Sequence, residues 1–212
     1  MNILDVYKKY QIMPQLAEHQ LRVAAVADLI CQNFTQDIDR ENIVAGCLLH
    51  DMGNIIKFDL QKTKALINQD FDLDFWQKVK DDYIKKYGDD EYVATQAIVK
   101  ELGVSARIME IIDSVSFLGA PETAAGPDFG GKIAQYCDDR VAPAGVVSLE
   151  DRFSDLRVRY GHREDNSGAR DNFERAVREM ERQIFANTKI KPDYITDETV
   201  KPIIENLKTF NI

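Results

Sequence analysis

Cysteine is scarce in this chain of 212 residues, and its three thiols, Cys31, Cys47 and Cys137, are widely spaced without a C-x-x-C pair. An odd number of scattered cysteines excludes a disulfide framework and a cysteine-based zinc knuckle. Reduced thiols are typical of cytoplasmic proteins, so the sequence predicts a cytoplasmic location. The first residues also lack the charged leader and apolar block of a signal peptide.

Long apolar runs and an excess of positive charge are missing as well. No segment approaches the roughly 18 uninterrupted apolar residues that a membrane span requires. Lys and Arg number 27 against 36 Asp and Glu, which gives a formal net charge of −9. Large nucleic acids and anionic membranes are bound through basic surfaces. We therefore expect neither of them as a partner.

Apolar residues, which make up 44% of the chain, recur mostly with helical spacing, and few runs alternate with a period of two. The pattern predicts an all-α bundle. Helices are expected at about 14–34, 39–51, 74–87, 89–102, 105–117, 131–141, 148–160, 169–186 and 196–209. Glycine and proline predict loops at 119–131 and at 161–168, where His162 would be a solvated loop residue. We expect one domain over 1–212, with 161–212 as a C-terminal helical extension.

Four polar residues fall on the apolar faces of predicted helices: His19, His50, Asp51 and Asp138. One buried histidine alone is more often a hydrogen-bonded core residue than a ligand. A buried ionised carboxylate, however, is costly unless it is paired or bound to a metal, and no Lys or Arg shares these faces. Neighbours on a helix diverge by about 100°, but at a helix end His50 and Asp51 could both reach one ion. The set indicates one divalent cation; its donors suit Mn, Co, Zn or Fe and permit Mg.

The order His19, His50-Asp51, Asp138 resembles the H…HD…D signature of the HD-domain superfamily of metal-dependent phosphohydrolases. The resemblance covers about 14–160, and its most specific parts are H-x-x-R-V at 19–23 and L-L-H-D-M-G at 48–53. It implies an HD-domain helical bundle in which these four residues hold one divalent metal ion, with a bound water as nucleophile. Asp51 is also the expected catalytic base. Asp139 remains an alternative to Asp138 because it is the next residue of the same run.

The chain departs from the family near the HD pair. Many relatives carry lysine or glutamate three residues after the HD aspartate, where this chain has Asn54. We expect Asn54, Lys57 and Arg22 to bind substrate, since an amide can orient a phosphate oxygen and a guanidinium matches phosphate bidentately. The alternatives are a plain surface lysine for Lys57 and an arginine paired with a surface acid for Arg22. No histidine lies between 51 and 138, so a second metal is not expected.

One further motif matches a nucleotide-binding pattern without its required context. Residues 126–132 fit G-x-x-x-x-G-K, but a P-loop needs a preceding strand and a Ser or Thr where this chain has Ile133. This segment is instead expected to position the helix that carries Asp138 or to cover the metal site.

The sequence therefore predicts hydrolysis of a small phosphorylated metabolite or nucleotide. A non-catalytic, ligand-sensing protein that keeps the metal site is the alternative. A metal-dependent lyase or oxygenase on the same bundle is a third possibility, but oxygenase relatives generally use two irons, which the histidine count disfavours. The oligomeric state is left open.

Overall fold

Helices make up nearly all of the regular structure in the computed structural model of the chain, which describes residues 1–66, 71–160 and 167–212. The α-helices in these ranges are α1 (Ile3–Lys9), α2 (Pro14–Gln32), α3 (Arg40–Leu49), α4 (Leu60–Leu66), α5 (Leu73–Tyr87), α6 (Glu91–Leu102), α7 (Ala106–Ser114), α8 (Ala120–Ala125), α9 (Phe129–Asp138), α10 (Leu149–Tyr160), α11 (Ser167–Phe185) and α12 (Asp197–Leu207). Short 3₁₀ helices cover Asn54–Lys57 and Pro192–Tyr194. The predicted all-α fold is confirmed.

Polar side chains begin several of these helices. Asp39, Asp72, Asp90 and Ser105 each accept a backbone N–H bond from the first turn of α3, α5, α6 and α7. Such caps satisfy amide groups that have no partner within the helix. Gly103 then ends α6 in the left-handed region, at φ 71°, which glycine adopts at little cost.

The central packing unit consists of α2, α3 and α9, each of which contacts the other two. From the expected extension, α12 packs on α2, and α11 packs on α8 and α9. The chain ends meet, because Met1 and Ile212 exchange two backbone hydrogen bonds of 3.1 and 2.9 Å. The domain division at residue 161 stays a prediction. Most of the predicted loop at 161–168, with His162, lies outside the described residues.

The predicted loop at 119–131 is wrong, because α8 and the start of α9 lie within it. Pro121 stands in the first turn of α8, where its missing N–H costs no hydrogen bond. Gly130 and Gly131 belong to the first turn of α9. A Cβ on Gly130 would lie 2.5 Å from Arg107 Nη2, and one on Gly131 would lie 2.9 Å from Ser114 Cβ. These glycines therefore permit close packing rather than end a helix.

Other differences lie at helix ends and in short elements. The helix expected at 131–141 ends at Asp138, and Val141–Ala142 (β1) pairs antiparallel with Gly145–Val146 (β2). The helices expected at 14–34, 39–51 and 105–117 end two or three residues early. The sequence did not predict α1, α4 or the hairpin. Within the described residues, no helix combines the length and apolar content needed to cross a bilayer.

Candidate metal centre

Three packed helices and one turn carry the four predicted ligands. His19 lies on α2, and Asp138 is the last residue of α9. His50 is the C-cap of α3, so Asp51 falls in the turn that follows. Gly53 closes this turn: its N–H donates to Thr95 Oγ1, and a Cβ there would lie 2.3 Å from the Glu91 carbonyl oxygen.

The four side chains converge on one point. The Asp138 Oδ1 atom lies 3.0 Å from His19 Nε2 and 3.4 Å from His50 Nε2. Both Nε2 atoms lie 3.7 Å from Asp51 Oδ2. One candidate ligand atom each from His19, His50 and Asp51 lies within 4.8 Å of the other two, a spacing that could hold a metal ion. The structure thus brings together all four residues that the sequence selected.

His50 has the bonding pattern of a metal-ligating imidazole. Its Nδ1 donates to the Cys47 carbonyl oxygen at 2.8 Å, so in a neutral ring Nε2 carries the free lone pair. This Nε2 is buried and has no hydrogen-bond partner. A buried polar atom without a partner is rare and calls for an explanation. A cation bound by Nε2, with Nδ1 fixed by a backbone carbonyl, would provide one.

The electrostatics of the cluster favour positive charge. Burial alone would lower the pKa of His50, but Asp51 and Asp138 outweigh it and raise that pKa to about 9. Burial would raise the pKa of Asp138, but the hydrogen-bonded imidazole of His19 and the nearby imidazole of His50 hold that pKa well below its usual range. A metal ion would supply the same positive charge and displace the proton from His50. The donor set therefore fits a divalent cation.

The neighbouring aspartate has different surroundings. Asp139 is only 3% exposed and accepts a hydrogen bond of 2.8 Å from Gln135 Nε2. Burial, followed by the charge of Asp138, raises the pKa of Asp139 to about 8. Of this pair, it is Asp138 that contacts both imidazoles.

Within the described residues, no hydrogen bond joins the side chains of Asn54, Lys57 or Arg22, which are expected to bind substrate, to the side chains of the cluster. Asn54 is buried, and its backbone N–H donates to the Asp51 carbonyl at 3.0 Å. Lys57 is half-exposed, with Nζ 4.0 Å from Glu91 Oε1. Their role toward a substrate stays a prediction.

Arg22 is mostly buried and is paired with acids. Its Nη2 lies 2.6 Å from Glu18 Oε1, and its Nε lies 3.4 Å from Asp197 Oδ1. This is the pairing that the sequence left open as the alternative to phosphate binding. Both roles can coexist, because Glu18 is exposed and its surface ion pair is weak.

The glycine-rich segment at 126–132 begins the helix that ends at Asp138. Asp128 accepts hydrogen bonds from the backbone N–H groups of Gly130 and Gly131, which caps α9. Lys132 is buried and donates to Gln183 Oε1. These contacts support the structural interpretation of this segment over a P-loop.

Sequence reasoning missed two residues with contacts at the site. Gln20, next to His19, accepts a hydrogen bond from the Asp51 backbone N–H, and Asp197 on α12 lies beside Arg22. The placement of Gln20 on an apolar face was a signal for the first. No sequence signal joined Asp197 to Arg22, since they are distant along the chain. All three cysteines are free, as the sequence predicted, and all three are buried.

A comparison with known protein families identifies the chain. The HD domain model matches residues 16–154, which is well over half of the chain and contains all four clustered residues. No curated protein and no solved structure shows a significant match. The chain belongs to the HD domain family, within the superfamily of metal-dependent phosphohydrolases that its motifs resemble.

Proposed function

We propose that this protein is a metal-dependent phosphohydrolase acting on a small phosphorylated metabolite or nucleotide. The observation that carries the proposal is the convergence of two imidazoles and two carboxylates around the unpartnered Nε2 of His50. His19, Asp51 and Asp138 each keep about a fifth of their side-chain surface exposed, at 21, 19 and 24%. A substrate can therefore reach the cluster from solvent.

The chemistry of the proposal divides among these groups. A divalent ion held by His19, His50, Asp51 and Asp138 would lower the pKa of a water molecule and neutralise charge on a phosphoryl oxygen. Asp51 accepts the proton of the attacking water. Arg22, Asn54 and Lys57 bind the phosphate group. The net charge of −9 favours a small substrate over a large nucleic acid.

Activity measurements with matched variants test the proposal. The purified protein, supplied with Mn²⁺ or Co²⁺, should release phosphate from at least one member of a panel of nucleotides and sugar phosphates. Asp51→Asn should lower kcat by about 10²-fold or more, because it removes a ligand and the nearest base. Asp113→Asn, on α7, is the control and should retain activity. Near wild-type turnover by Asp51→Asn would contradict the proposed mechanism.

A ligand-sensing protein without turnover is the second candidate. It is favoured by Asn54 in place of a charged residue and by the acids that pair with Arg22 and Lys57. Under this alternative the protein would bind Co²⁺ and a phosphorylated ligand, as measured by calorimetry, yet release no phosphate. Turnover that depends on Asp51 would exclude it.

A further inference from the structure

Gln20 is the one glutamine of α2 that the fold buries completely, at 0% exposure. Its Oε1 accepts the backbone N–H of Asp51 at 3.3 Å. Its Nε2 is also buried and has no hydrogen-bond partner. A leucine or methionine would fill this interior position without burying an unpaired amide nitrogen. The hydrogen bond that Oε1 accepts from Asp51 is therefore what distinguishes glutamine at this position.

The contact lies where α3 gives way to the turn that carries Asp51. In a continued helix, the Asp51 N–H would donate to the carbonyl oxygen of Cys47. That oxygen instead accepts from His50 Nδ1 at 2.8 Å. In a continued helix the Cys47 carbonyl and the Asp51 N–H would bond each other. Here the His50 imidazole bonds the carbonyl, and Gln20 bonds the N–H.

This exchange has a geometric consequence for the HD pair. Consecutive side chains on a helix point about 100° apart and would not face one ion. Here the peptide between His50 and Asp51 is held at its amide by Gln20, and both His50 Nε2 and Asp51 Oδ2 reach the cluster, 3.7 Å from each other. Gln20 and His19 are adjacent on α2, so one helix both supplies a ligand and orients a second one.

We infer that Gln20 is a positioning residue for Asp51: by accepting its backbone N–H, Gln20 fixes the carboxylate for metal binding. The inference rests on the proposed metal function. Groups that orient metal ligands typically affect metal affinity by about 10–100-fold. The bond that Gln20 makes at the cluster is to the backbone of Asp51, so its loss should act through Asp51.

The test compares Gln20→Met, which keeps side-chain length but removes the acceptor, with Gln183→Met. Gln183 is a suitable control because its amide bonds Lys132, Glu179 and the Ala124 carbonyl, away from the four ligands. Titration with Co²⁺, followed by visible absorption, gives Kd. Amide hydrogen exchange of metal-free protein, read by NMR, reports on the Asp51 N–H alone.

Gln20→Met should raise the Kd for Co²⁺ by about tenfold or more and accelerate exchange at Asp51, whereas Gln183→Met should change neither. Wild-type affinity in Gln20→Met would overturn the inference and leave the metal site standing. Failure of the wild-type protein to bind Co²⁺, Mn²⁺ or Zn²⁺ would overturn the proposed function. In that case unchanged exchange at Asp51 in Gln20→Met would also refute its anchoring by Gln20.

Discussion

Asp138 and Asp139 are consecutive residues of one short run, yet their carboxyl groups have different partners. Asp138 meets the imidazoles of His19 and His50, which stabilise its ionised form. Asp139 is buried against Gln135, and its raised pKa favours the neutral acid at pH 7. One step along the end of α9 therefore separates a candidate metal ligand from a hydrogen-bonded core residue.

The two aspartates should respond differently to the same substitution. Asp138→Asn should weaken Co²⁺ binding by at least about tenfold, because an amide is a poorer ligand than a carboxylate. Asp139→Asn should keep near wild-type affinity, since a neutral amide replaces a largely neutral acid and its oxygen can still accept from Gln135. Calorimetric titration of both variants measures the difference. Equal losses would show that Asp139 takes part in binding, or that the site lies elsewhere.

Arg22 provides a second test at this scale. If Arg22 binds phosphate, Arg22→Lys should raise KM or lower kcat although the charge is kept, because the planar guanidinium that can bind phosphate bidentately is lost. Glu18→Gln removes the acid that pairs with Arg22 Nη2 and should leave kcat/KM equal to or above that of the wild type. Steady-state kinetics of both variants checks this. Unchanged kcat/KM in Arg22→Lys would assign Arg22 a structural role only.

The residues of the site were predictable to the extent that they follow helical periodicity. His19, His50, Asp51 and Asp138 were selected because each falls on an apolar face of a predicted helix. Gln20 also falls on an apolar face, but its role could not be predicted, because its contact depends on how the chain turns after Leu49. The partners of Arg22 were also out of reach, since Asp197 meets it only through the packing of α12 on α2.

At the scale of elements, Arg140 joins the end of α9 to the C-terminal part of the chain. Its guanidinium is buried and donates to the carbonyl oxygens of Val147, Pro192 and Ile195 and to the Tyr136 hydroxyl. Arg140 stands two residues after Asp138. The segment around Pro192 thereby braces the helix end that presents this ligand.

Removing this link should be costly. Arg140→Ala leaves several buried carbonyl groups unpaired, and we expect a loss of about 3–6 kcal/mol in the free energy of unfolding. Urea denaturation at constant m-value measures it. Arg182→Ala is the matched control, because Arg182 pairs with Glu179 on the exposed face of α11 and should change stability little. Equal effects of the two substitutions would contradict the bracing role.

Element boundaries show where sequence patterns lose information. Long amphipathic helices such as α5 and α11 were predicted to within two residues, because many apolar positions support each one. Short α1 buries Ile3, Val6 and Tyr7 at helical spacing, but seven residues are too few to establish a period. Gly130 and Gly131 indicated a loop by composition, whereas the structure uses their small size for packing.

At the scale of the whole molecule, the four candidate ligands join α2, the end of α3 and α9. The consecutive helices α2 and α3 lie far from α9 in sequence, and the three form the central packing unit. A metal ion bound to all four side chains would hold this unit together in the native state alone. Metal binding and folding should therefore be linked.

Thermal unfolding with and without metal measures this linkage. A ligand at a hundred times its Kd stabilises the native state by about 2.7 kcal/mol, which raises Tm by about 5–10 °C in a protein of this size. Treatment with EDTA should lower Tm by that amount, and Mn²⁺, Co²⁺ or Zn²⁺ should restore it. Asp138→Ala should lose most of the metal-dependent gain. If neither chelator nor added metal changed Tm, that result would argue against a metal site in the native state.

Residues 1 and 212 are hydrogen-bonded to each other, so the same fold can be built with the helices in a different order along the chain. A short linker could join these ends, and new ends could be opened at the exposed residues Gly88 and Asp89 between α5 and α6. In such a circular permutant Asp138 would precede His19 and His50, so the order H…HD…D would vanish from the sequence. The same helices would still pack around the same four side chains. The order of the motif is therefore a property of connectivity, whereas the site depends only on which helices meet.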